Sequence, residues 1–353
     1  MPAATMSRAR PLALSVVLLA CSSERGAAPP SDADADGGMP TSTSDAGATT
    51  PEIALYAVVD LPRTGDTQAL SGTAFEPATR TLYALQDFQP RIVPLVASED
   101  YKTFTVGSPI ALTGRAEAAW DGEGLALAAD GFVAVTVETS AAIERFDASG
   151  ARTGGGPVPA RFADQAPGNK GLESLALSPS GRVLFTATES ALAGDGPVAS
   201  RTAGTRVRIL RRELDGGAEA QYAYRTEPLG AGETRGDMGV SEIAALSDDA
   251  LLVLERGYQP DFGNTVRIFR VDLSGGAPVP ATAPLDDTSP ILDKTLLVDL
   301  ATLPSDGVTH PGPQPNPLLD NYEALTVGPT LPDGRRLLFV TSDDNRNAGQ
   351  VPR

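Results

Sequence analysis

The chain has 353 residues, of which 45 are acidic and 28 basic, so its formal net charge is −17 at neutral pH. This balance argues against binding to the phosphate backbone of nucleic acids, and we expect no nucleic-acid partner. The single cysteine and single histidine, Cys21 and His310, exclude an internal disulfide and a zinc site built from these two residue types. Any catalytic chemistry must therefore depend mainly on carboxylates, with arginine, lysine or a bound metal.

The N-terminal segment is typical of an export signal. Arg8 and Arg10 precede the apolar run "LALSVVLLA", which is too short to span a bilayer. The run ends in "LLAC", which resembles a bacterial lipobox, the motif in which the cysteine becomes the lipidated first residue. We therefore predict a lipoprotein-type signal peptide over residues 1–21, with Cys21 as the lipidation site and Met1 or Met6 as the start. The alternative is an ordinary secretory signal with a chance cysteine.

This signal predicts an exported protein, an outer-membrane or cell-surface lipoprotein that touches the membrane only through its lipid anchor. A periplasmic or secreted protein is the alternative. Residues 22–51 are rich in Ser, Asp, Ala, Gly, Pro and Thr, and bulky apolar side chains are almost absent. Such a segment cannot bury enough surface to offset its ordering entropy, so we predict a disordered linker.

From residue 52 onward the sequence consists of short alternating apolar runs. Five segments align as strand, turn and strand: 70–87, 122–138, 171–189, 240–256 and 321–344. Their turns carry Pro, Asp, Ser or Gly, and their strands are rich in Val, Leu, Phe and Thr. Each segment is therefore predicted to form a β-hairpin.

The spacing of these hairpins indicates an all-β fold. Their first-strand markers, Ser71, Glu123, Glu173, Glu242 and Glu323, recur at intervals of 52, 50, 69 and 81 residues. Further strands are predicted between the hairpins, at 142–147, 205–214, 265–273 and 294–300. Repeats of this size are typical of propeller blades. We predict one β-propeller domain over 52–353, with six blades favoured over five and with residues 52–61 joining the last blade. A β-sandwich is the alternative.

Acidic residues stand at equivalent ends of these hairpins. Residues equidistant from a turn lie opposite each other, which pairs Glu123 with Glu138 and Glu323 with Asp343. Over all five hairpins the second strand ends in an acid, namely Asp87, Glu138, Glu189, Glu255 and Asp343. Because the inner strands of a propeller run alongside one channel, these acids should gather at one mouth, together with Lys170, Arg256 and Arg346. Alternatively, they cap loop amides between blades.

Converging carboxylates raise one another's pKa or recruit a cation. Ligands that are all oxygen favour calcium, or alternatively magnesium. The predicted metal ligands are Glu123, Glu173, Glu242, Glu323 and Asp343. The predicted catalytic residues are Glu255 and Asp344 as candidate general bases, and Arg256 and Arg346 to neutralise developing charge. His310 lies in a Pro-rich loop, and we expect it to be a loop residue.

The C-terminal segment "DNYEALTVGPTLPDGRRLLFVTSDDN" resembles the closing signature of the phytase-like family, described as "esterase-like activity of phytase". Ala324 stands where that family usually has glycine, and the chain ends before one more short strand of the family pattern. The strand starts "EGLAL" and "LESLAL" also resemble the family. The resemblance implies a β-propeller with a hydrolytic role on phosphoesters or esters. Its matching positions here are Glu123, Glu173, Glu242, Glu323, Asp343, Asp344 and Asn345.

We therefore predict an exported, metal-assisted hydrolase of phosphoesters or esters, with a small anionic, phosphorylated substrate and a monomeric chain. The alternative from another class is a non-catalytic surface module that binds a ligand or partner and uses calcium structurally, since fold does not fix function. A lactonase acting on sugar acids is a third alternative. A calcium-dependent melting shift without turnover would distinguish the binding module from the two enzymes.

Overall fold

The computed structural model describes residues 13–22, 53–115, 120–136, 142–164, 170–347 and 349–351. Within these ranges the fold is almost entirely β-structure. The helical elements are one short α-helix, α1 (Ala160–Asp164), and one 3-10 turn, Leu300–Thr302. The prediction of an all-β chain is therefore confirmed.

The strands are short and mostly joined in hairpins. The first seven are β1 (Ala13–Ser22), β2 (Ile53–Pro62), β3 (Leu70–Glu76), β4 (Thr81–Gln86), β5 (Arg91–Ala97), β6 (Phe104–Val106) and β7 (Ile110–Ala111). The next seven are β8 (Gly122–Ala128), β9 (Gly131–Thr136), β10 (Ala142–Asp147), β11 (Arg152–Pro157), β12 (Ala176–Leu177), β13 (Val183–Ala187) and β14 (Arg206–Glu213). The last seven are β15 (Glu219–Arg225), β16 (Asp237–Ala245), β17 (Ala250–Gln259), β18 (Gly263–Asp272), β19 (Lys294–Asp299), β20 (Tyr322–Thr330) and β21 (Arg335–Ser342).

These strands form five separate antiparallel sheets arranged as propeller blades. In chain order the blades are β3-β4-β5-β6 with β7 beside β5, then β8-β9-β10-β11, β12-β13-β14-β15, β16-β17-β18-β19, and β20-β21-β1-β2. The first strand of each blade lies against its counterparts in the two neighbouring blades, and β20 contacts β3. The inner strands therefore close a ring around a central channel.

The described residues form five blades, so they give no support to the six that the repeat spacing favoured. The extra residues of the long interval between Glu242 and Glu323 lie mainly in connections. One of them, residues 273–293, packs on the neighbouring blade through two isolated bridges, Gln221 to Val279 and Ala223 to Ile291. The extra length of the 81-residue interval is thus found in loops rather than in a further blade.

The last blade combines both ends of the chain. As predicted, the segment after residue 52 joins this blade, because β2 is its outermost strand. Between β2 and β21 lies β1, antiparallel to both, with Cys21 opposite Arg336. This strand contains most of the apolar core of the predicted signal peptide, whose processing stays a prediction. Residues 1–12 and 23–52, which include almost all of the predicted linker, lie outside the described residues. Within the described ranges, no helix is long and apolar enough to cross a membrane.

Apolar side chains hold the blades against one another. One cluster joins Leu252 and Ile268 of the fourth blade to Leu325 and Val340 of the fifth, and other clusters lie between the remaining blades. The inner strands approach closely where their side chains are small. A Cβ atom on Gly124 would come within 2.6 Å of the backbone nitrogen of Leu175 in the next blade. Such close approach fixes where the first-strand residues of adjacent blades lie around the channel.

Candidate functional site

One end of the channel opens into a strongly acidic cavity of about 420 Å³. Residues from all five blades contribute to its wall. The lining consists of Asp87, Phe88, Trp120, Asp121, Glu123, Lys170, Glu173, Glu189, Asp237, Arg256, Asn321, Glu323, Asp343 and Asn345. These fourteen residues, called the acidic mouth below, include eight carboxylic side chains and two cationic ones.

The hairpin register explains why acids from distant parts of the sequence meet here. The amide of Asp87 donates to the Ala69 carbonyl, and that of Asp343 donates in the same way to Asn321, both at 2.9 Å. The Glu189 amide makes the equivalent bond to Gly171, also at 2.9 Å. Each of these acids therefore ends the second strand of its hairpin, bonded to the residue that stands two positions before the first-strand marker. The predicted gathering of hairpin-end acids is seen for these three.

Three carboxylates on the first two blades lie close enough to share one ion. Single oxygen atoms of Asp87, Asp121 and Glu123 all lie within 4.8 Å of one another. The Ser71 hydroxyl, on the neighbouring inner strand, donates to Glu123 Oε2 at 3.0 Å and to the Glu123 carbonyl at 2.8 Å. The set is half-buried and contains oxygen ligands alone. It is therefore a candidate site for a hard divalent cation.

The opposite side of the acidic mouth contains its two cations. Arg256 Nη2 lies 3.2 Å from Glu323 and 3.6 Å from Glu189. The Lys170 ammonium lies 3.1 Å from Glu189 and also contacts Asp237. Glu189 is thus flanked by both cations. The acidic mouth is asymmetric, with a metal-sized acid cluster on one side and ion pairs on the other.

Burial and mutual repulsion raise the pKa values of four carboxyl groups in the acidic mouth. Burial is the main cause that raises the pKa of Glu123 well above its usual value, and the charges of Glu173 and Glu323 add to it. The pKa of Glu173 is also well above its usual value, through burial and then through Glu189. Burial raises the pKa of Asp343 strongly and that of Glu323 as well, although Arg256 lowers the latter. These groups retain protons at a pH where an exposed carboxyl would not.

Glu242, a predicted metal ligand, does not line the acidic mouth. The pairing of β16 with β17 slips between Val240 and Glu242, which makes Ser241 the bulged residue. In the fifth blade the bulged residue is Glu323, because the register slips between Tyr322 and Ala324. Ser241 is therefore the counterpart of Glu323. Glu242 Oε1 instead accepts hydrogen bonds from the amides of Leu175, at 3.2 Å, and Ile243, at 3.0 Å.

Glu255 lies on the other face of its strand. It accepts hydrogen bonds from Tyr224 Oη at 2.5 Å, Lys294 Nζ at 2.7 Å and the Glu227 amide at 2.8 Å. Because successive side chains of a strand point to opposite faces, the next residue, Arg256, is the one that lines the acidic mouth. Glu255 is thus a buried structural carboxylate and is not positioned as a base.

Asp344 also lies away from the acidic mouth. It is fully buried, accepts the amide of Ala69 at 3.0 Å and pairs with Arg63 at 2.8 Å. The Arg346 guanidinium stacks 4.4 Å from the ring of Phe88 at the rim, and Arg346 itself does not line the cavity. Asp344 therefore ties the last hairpin to the segment before β3, and Arg346 covers a rim aromatic.

Glu138 and His310 are the two remaining positions that the sequence analysis considered for the site. Glu138 lies outside the described residues. His310 makes a bond with the Gly312 amide through Nδ1 at 3.0 Å, and its Nε2 lies 3.3 Å from Asp320, away from the acidic mouth. The expectation that His310 is a loop residue agrees with this position.

Sequence reasoning omitted Asp121, Asp237, Trp120, Phe88 and Asn321 from the site. A signal for two of them was present, because Asp121 and Asn321 each stand two residues before a first-strand glutamate. Residues i and i+2 of a strand share a face, so these side chains could have been assigned to the acidic mouth. Asp237, Trp120 and Phe88 lie outside the hairpin alignment and had no such signal.

Comparison with known proteins gives one family match. The model of the phytase-like family, described as esterase-like activity of phytase, matches residues 66–346. No curated protein matches the chain.

Similar solved structures are distant. A Lactobacillus plantarum protein has 16% identity and a TM-score of 0.35, over 70% of this chain and 64% of that one. The periplasmic gluconolactonase of Pseudomonas aeruginosa has 13% identity and a TM-score of 0.40, over 96% and 94%. The hydrazine synthase of Kuenenia stuttgartiensis has 10% identity and a TM-score of 0.34, over 68% and 61%.

Proposed function

The chain belongs to the phytase-like family, and from this premise we propose that it hydrolyses esters or phosphoesters at the acidic mouth. The observation that carries the proposal is the mixed set of carboxyl groups around one cavity. The pKa values of the half-buried Glu123 and Glu173 are raised, chiefly by desolvation, while Glu189 lies against two cations. Pairs of acids in contrasting environments are what hydrolysis by general acid and base catalysis requires.

Glu173 and Glu189 are the proposed acid and base. Glu173 and Glu189 belong to one hairpin and both line the cavity, and the charge of Glu189 adds to the burial that raises the pKa of Glu173. Glu189 would take a proton from the attacking water, whose oxygen bonds to the acyl carbon or the phosphorus. Glu173 would give its proton to the leaving oxygen as the ester bond breaks. Lys170 and Arg256 lie 3.1 Å and 3.6 Å from the carboxylate of this base.

A divalent cation fits the acid cluster on the other side. Asp87, Asp121 and Glu123 offer oxygen ligands alone, and we propose that they hold calcium, with magnesium as the alternative. When bound, the ion would polarise the substrate oxygen and lower the pKa of a bound water. The residues of the chain orient the substrate between this cluster and Arg256, which faces the developing negative charge. Of the other metal ligands predicted from the sequence, Glu173, Glu323 and Asp343 line the acidic mouth outside this cluster, whereas Glu242 does not line it.

Turnover assays with a matched pair of variants test the proposal. The purified protein would be given p-nitrophenyl phosphate, phytate, short p-nitrophenyl esters and an aldonolactone, each with calcium and with a chelator. We expect turnover of an ester or phosphoester, and a decrease in kcat of about 10²–10⁴-fold for Glu173→Gln. The control is Glu219→Gln, at an exposed glutamate on β15 that pairs with Arg212 of β14, and it should leave kcat unchanged.

Two outcomes would contradict the proposal. One is full activity in Glu173→Gln. The other is a calcium-dependent rise in Tm with no turnover of any substrate, which would favour the non-catalytic binding module. Turnover of the aldonolactone alone would instead favour the lactonase. We also propose that the chain is exported and lipidated at Cys21, which intact-mass measurement of membrane-extracted protein would test.

A further inference from the structure

The fifth blade differs from the other four in where its strands come from. Each of the first four blades consists of strands that follow one another along the chain, whereas the third strand of the fifth blade is β1. β1 lies between β21 and β2, antiparallel to both, with Val17 opposite Val340 on one side and Val58 on the other. The proposed processing before Cys21 removes most of β1. A processed chain therefore lacks the strand that fills this place in the structure.

The place of β1 is apolar on both faces of the blade. On one face, Leu338 and Val340 of β21 pack in a cluster with residues of the fourth blade. On the other face, Leu337 and Phe339 pack with residues of the first blade. A strand that is buried on both faces needs a nearly continuous apolar run, and β1 has one in "ALSVVLLA".

The edge of β21 that β1 covers offers backbone groups to another polypeptide. Residues 337–341 of β21 pair with residues 16–20 of β1, so the removal of those residues leaves backbone N–H and C=O groups without their present partners. An extended segment of another protein can add to such an edge as a strand. Main-chain hydrogen bonds then give affinity, and the positions of its side chains give specificity.

One buried hydroxyl beside this place has no partner. Thr341 is fully buried, and its Oγ1 makes no hydrogen bond with any residue that the structure describes. Its register partner on β1 is Val16, which has no polar side-chain atom. Directly opposite residues of an antiparallel pair share a face, and threonine or serine opposite threonine forms a hydrogen bond across the strands. A strand with a hydroxyl at this position would therefore satisfy a group that β1 leaves unsatisfied.

We infer that the processed protein binds an extended apolar segment of a partner protein in the place of β1. The segment runs antiparallel to β21 and β2, pairs with residues 337–341, and carries a serine or threonine opposite Thr341. This inference rests on the proposed processing before Cys21. It does not depend on the proposed hydrolysis, which takes place at the acidic mouth.

Peptide binding to two forms of the chain tests the inference. The probe is a fluorescent peptide of residues 12–22 with Cys21→Ser and added lysines for solubility, followed by anisotropy. We expect one peptide to bind to each chain that begins at Ser22. We expect no binding to the full chain with Cys21→Ser, produced without export, because β1 fills the place there. Val17→Pro in the peptide should weaken binding by about tenfold or more, because proline removes a hydrogen bond of the ladder.

A matched pair of substitutions in the peptide tests the assigned hydroxyl. Val16→Thr, opposite Thr341, should increase the affinity by roughly fivefold through the added hydrogen bond. Val17→Thr adds the same hydroxyl opposite the apolar Val340 and should decrease the affinity. Adsorption of the peptide to apolar surface would change in the same direction for both variants.

A cut chain provides the test if the chain that begins at Ser22 does not fold alone. A protease site placed between Gly37 and Gly38 of the full chain allows cleavage after folding. The fragment that contains β1 should stay bound to the rest of the chain during gel filtration, and excess peptide should displace it. Loss of this fragment without added peptide, from a chain that remains folded, would overturn the inference.

The remaining results also decide the inference. Equal binding of the peptide to both forms of the chain, or equal effects of the two threonine substitutions, would overturn it. A processed chain that is dimeric without peptide and monomeric with it would show that a second copy supplies the strand, and not a separate partner. Exported protein that retains residues 13–20 would contradict the proposed processing, and the inference would fail with it. Absence of peptide binding to a processed, folded chain would overturn the inference alone.

Discussion

The Glu242 carboxyl group is buried beside the inner strand of the third blade. Its Oε1 accepts two backbone amides, whereas its Oε2 has no hydrogen-bond partner among the described residues. Burial raises the pKa of Glu242 well above its usual value, and the two amides lower it less. No neighbouring acid contributes to this shift, in contrast to Glu123. The site therefore favours a neutral side chain that still offers one oxygen.

Glu242→Gln provides such a side chain. A carboxyl whose pKa is raised on folding stabilises the native state fully below its unfolded pKa. That stabilisation is lost as pH rises toward the folded pKa. Above the unfolded value of about 4.3, the wild-type protein must take up a proton or bury a charge at Glu242 when it folds, and the variant does neither. We expect the variant to be more stable by about 1 kcal/mol or more at pH 8, with little difference at pH 4, as measured by urea unfolding.

The matched control for this substitution is Glu233→Gln, at an exposed position, which should change the free energy of unfolding by less than about 0.5 kcal/mol at either pH. A variant less stable than wild type at pH 8 would show that Glu242 needs its charge, as the originally predicted metal ligand would. In that case the calcium-induced rise in Tm should also disappear in Glu242→Gln.

At the scale of elements, the hairpin is the unit that the sequence specifies well. Predicted outer strands such as 142–147 agree with β10 (Ala142–Asp147), and the predicted hairpin 122–138 contains β8 and β9 as an antiparallel pair. Alternating apolar residues and turn residues are local signals, so they predict local pairing reliably. The number of blades was harder to predict, because a long connection and a degenerate blade leave the same gap between hairpins.

The candidate site was predicted in part, and the reason is strand register. Glu123, Glu173 and Glu323 each precede a leucine by two residues, whereas Glu242 directly precedes Ile243. The three leucines and Ile243 occupy equivalent places, because all four line the cavity at the other end of the channel. A shift of one residue moves a side chain to the other face of a strand, which removed both Glu242 and Glu255 from the acidic mouth. Distances between carboxylates of different blades depend on packing and could not be predicted.

The junction between the last and first blades yields a prediction at this scale. Asp344 joins them through the Ala69 amide at 3.0 Å and Arg63 at 2.8 Å, with no exposure of its own side chain. Asp344→Ala leaves the amide and the guanidinium without this partner, and we expect a loss of about 3–5 kcal/mol in the free energy of unfolding. Asp344→Asn should lose less, since an oxygen can still accept the amide.

The control for this junction is Asp333→Ala, which breaks an exposed pair with Arg335 in the hairpin turn and should cost less than about 1 kcal/mol. Urea unfolding of all three variants gives the comparison. If Asp344→Ala were as stable as Asp333→Ala, the closure of the ring would not depend on this carboxylate. Loss of activity without loss of stability in Asp344→Ala would instead return Asp344 to the candidate catalytic residues.

At the scale of the whole molecule, β1 is a strand of the last blade that also contains most of the apolar core of the predicted signal peptide. A chain processed before Cys21 would lack residues 13–20, most of the strand that lies between β2 and β21. Because β1 is antiparallel to both neighbours, β2 runs parallel to β21 and could replace the antiparallel pairing of β1 with β21 only by a parallel ladder or by reversing direction. Processing would therefore leave the backbone groups of β21 without their present partners, while the ring of inner strands would stay closed.

Two chains compared by thermal unfolding would test this role of β1. One is the full chain with Cys21→Ser, which blocks lipidation, produced without export so that no signal peptidase acts on it. The other begins at Ser22. Because the unpaired edge of β21 loses hydrogen bonds that each contribute about 1 kcal/mol, we expect the shorter chain to melt at a temperature roughly 5 °C or more below that of the longer one. Both chains should unfold cooperatively, because the apolar clusters between the other blades are unchanged. Equal melting temperatures would mean that residues 13–20 contribute nothing to the stability of the fold and act only as an export signal.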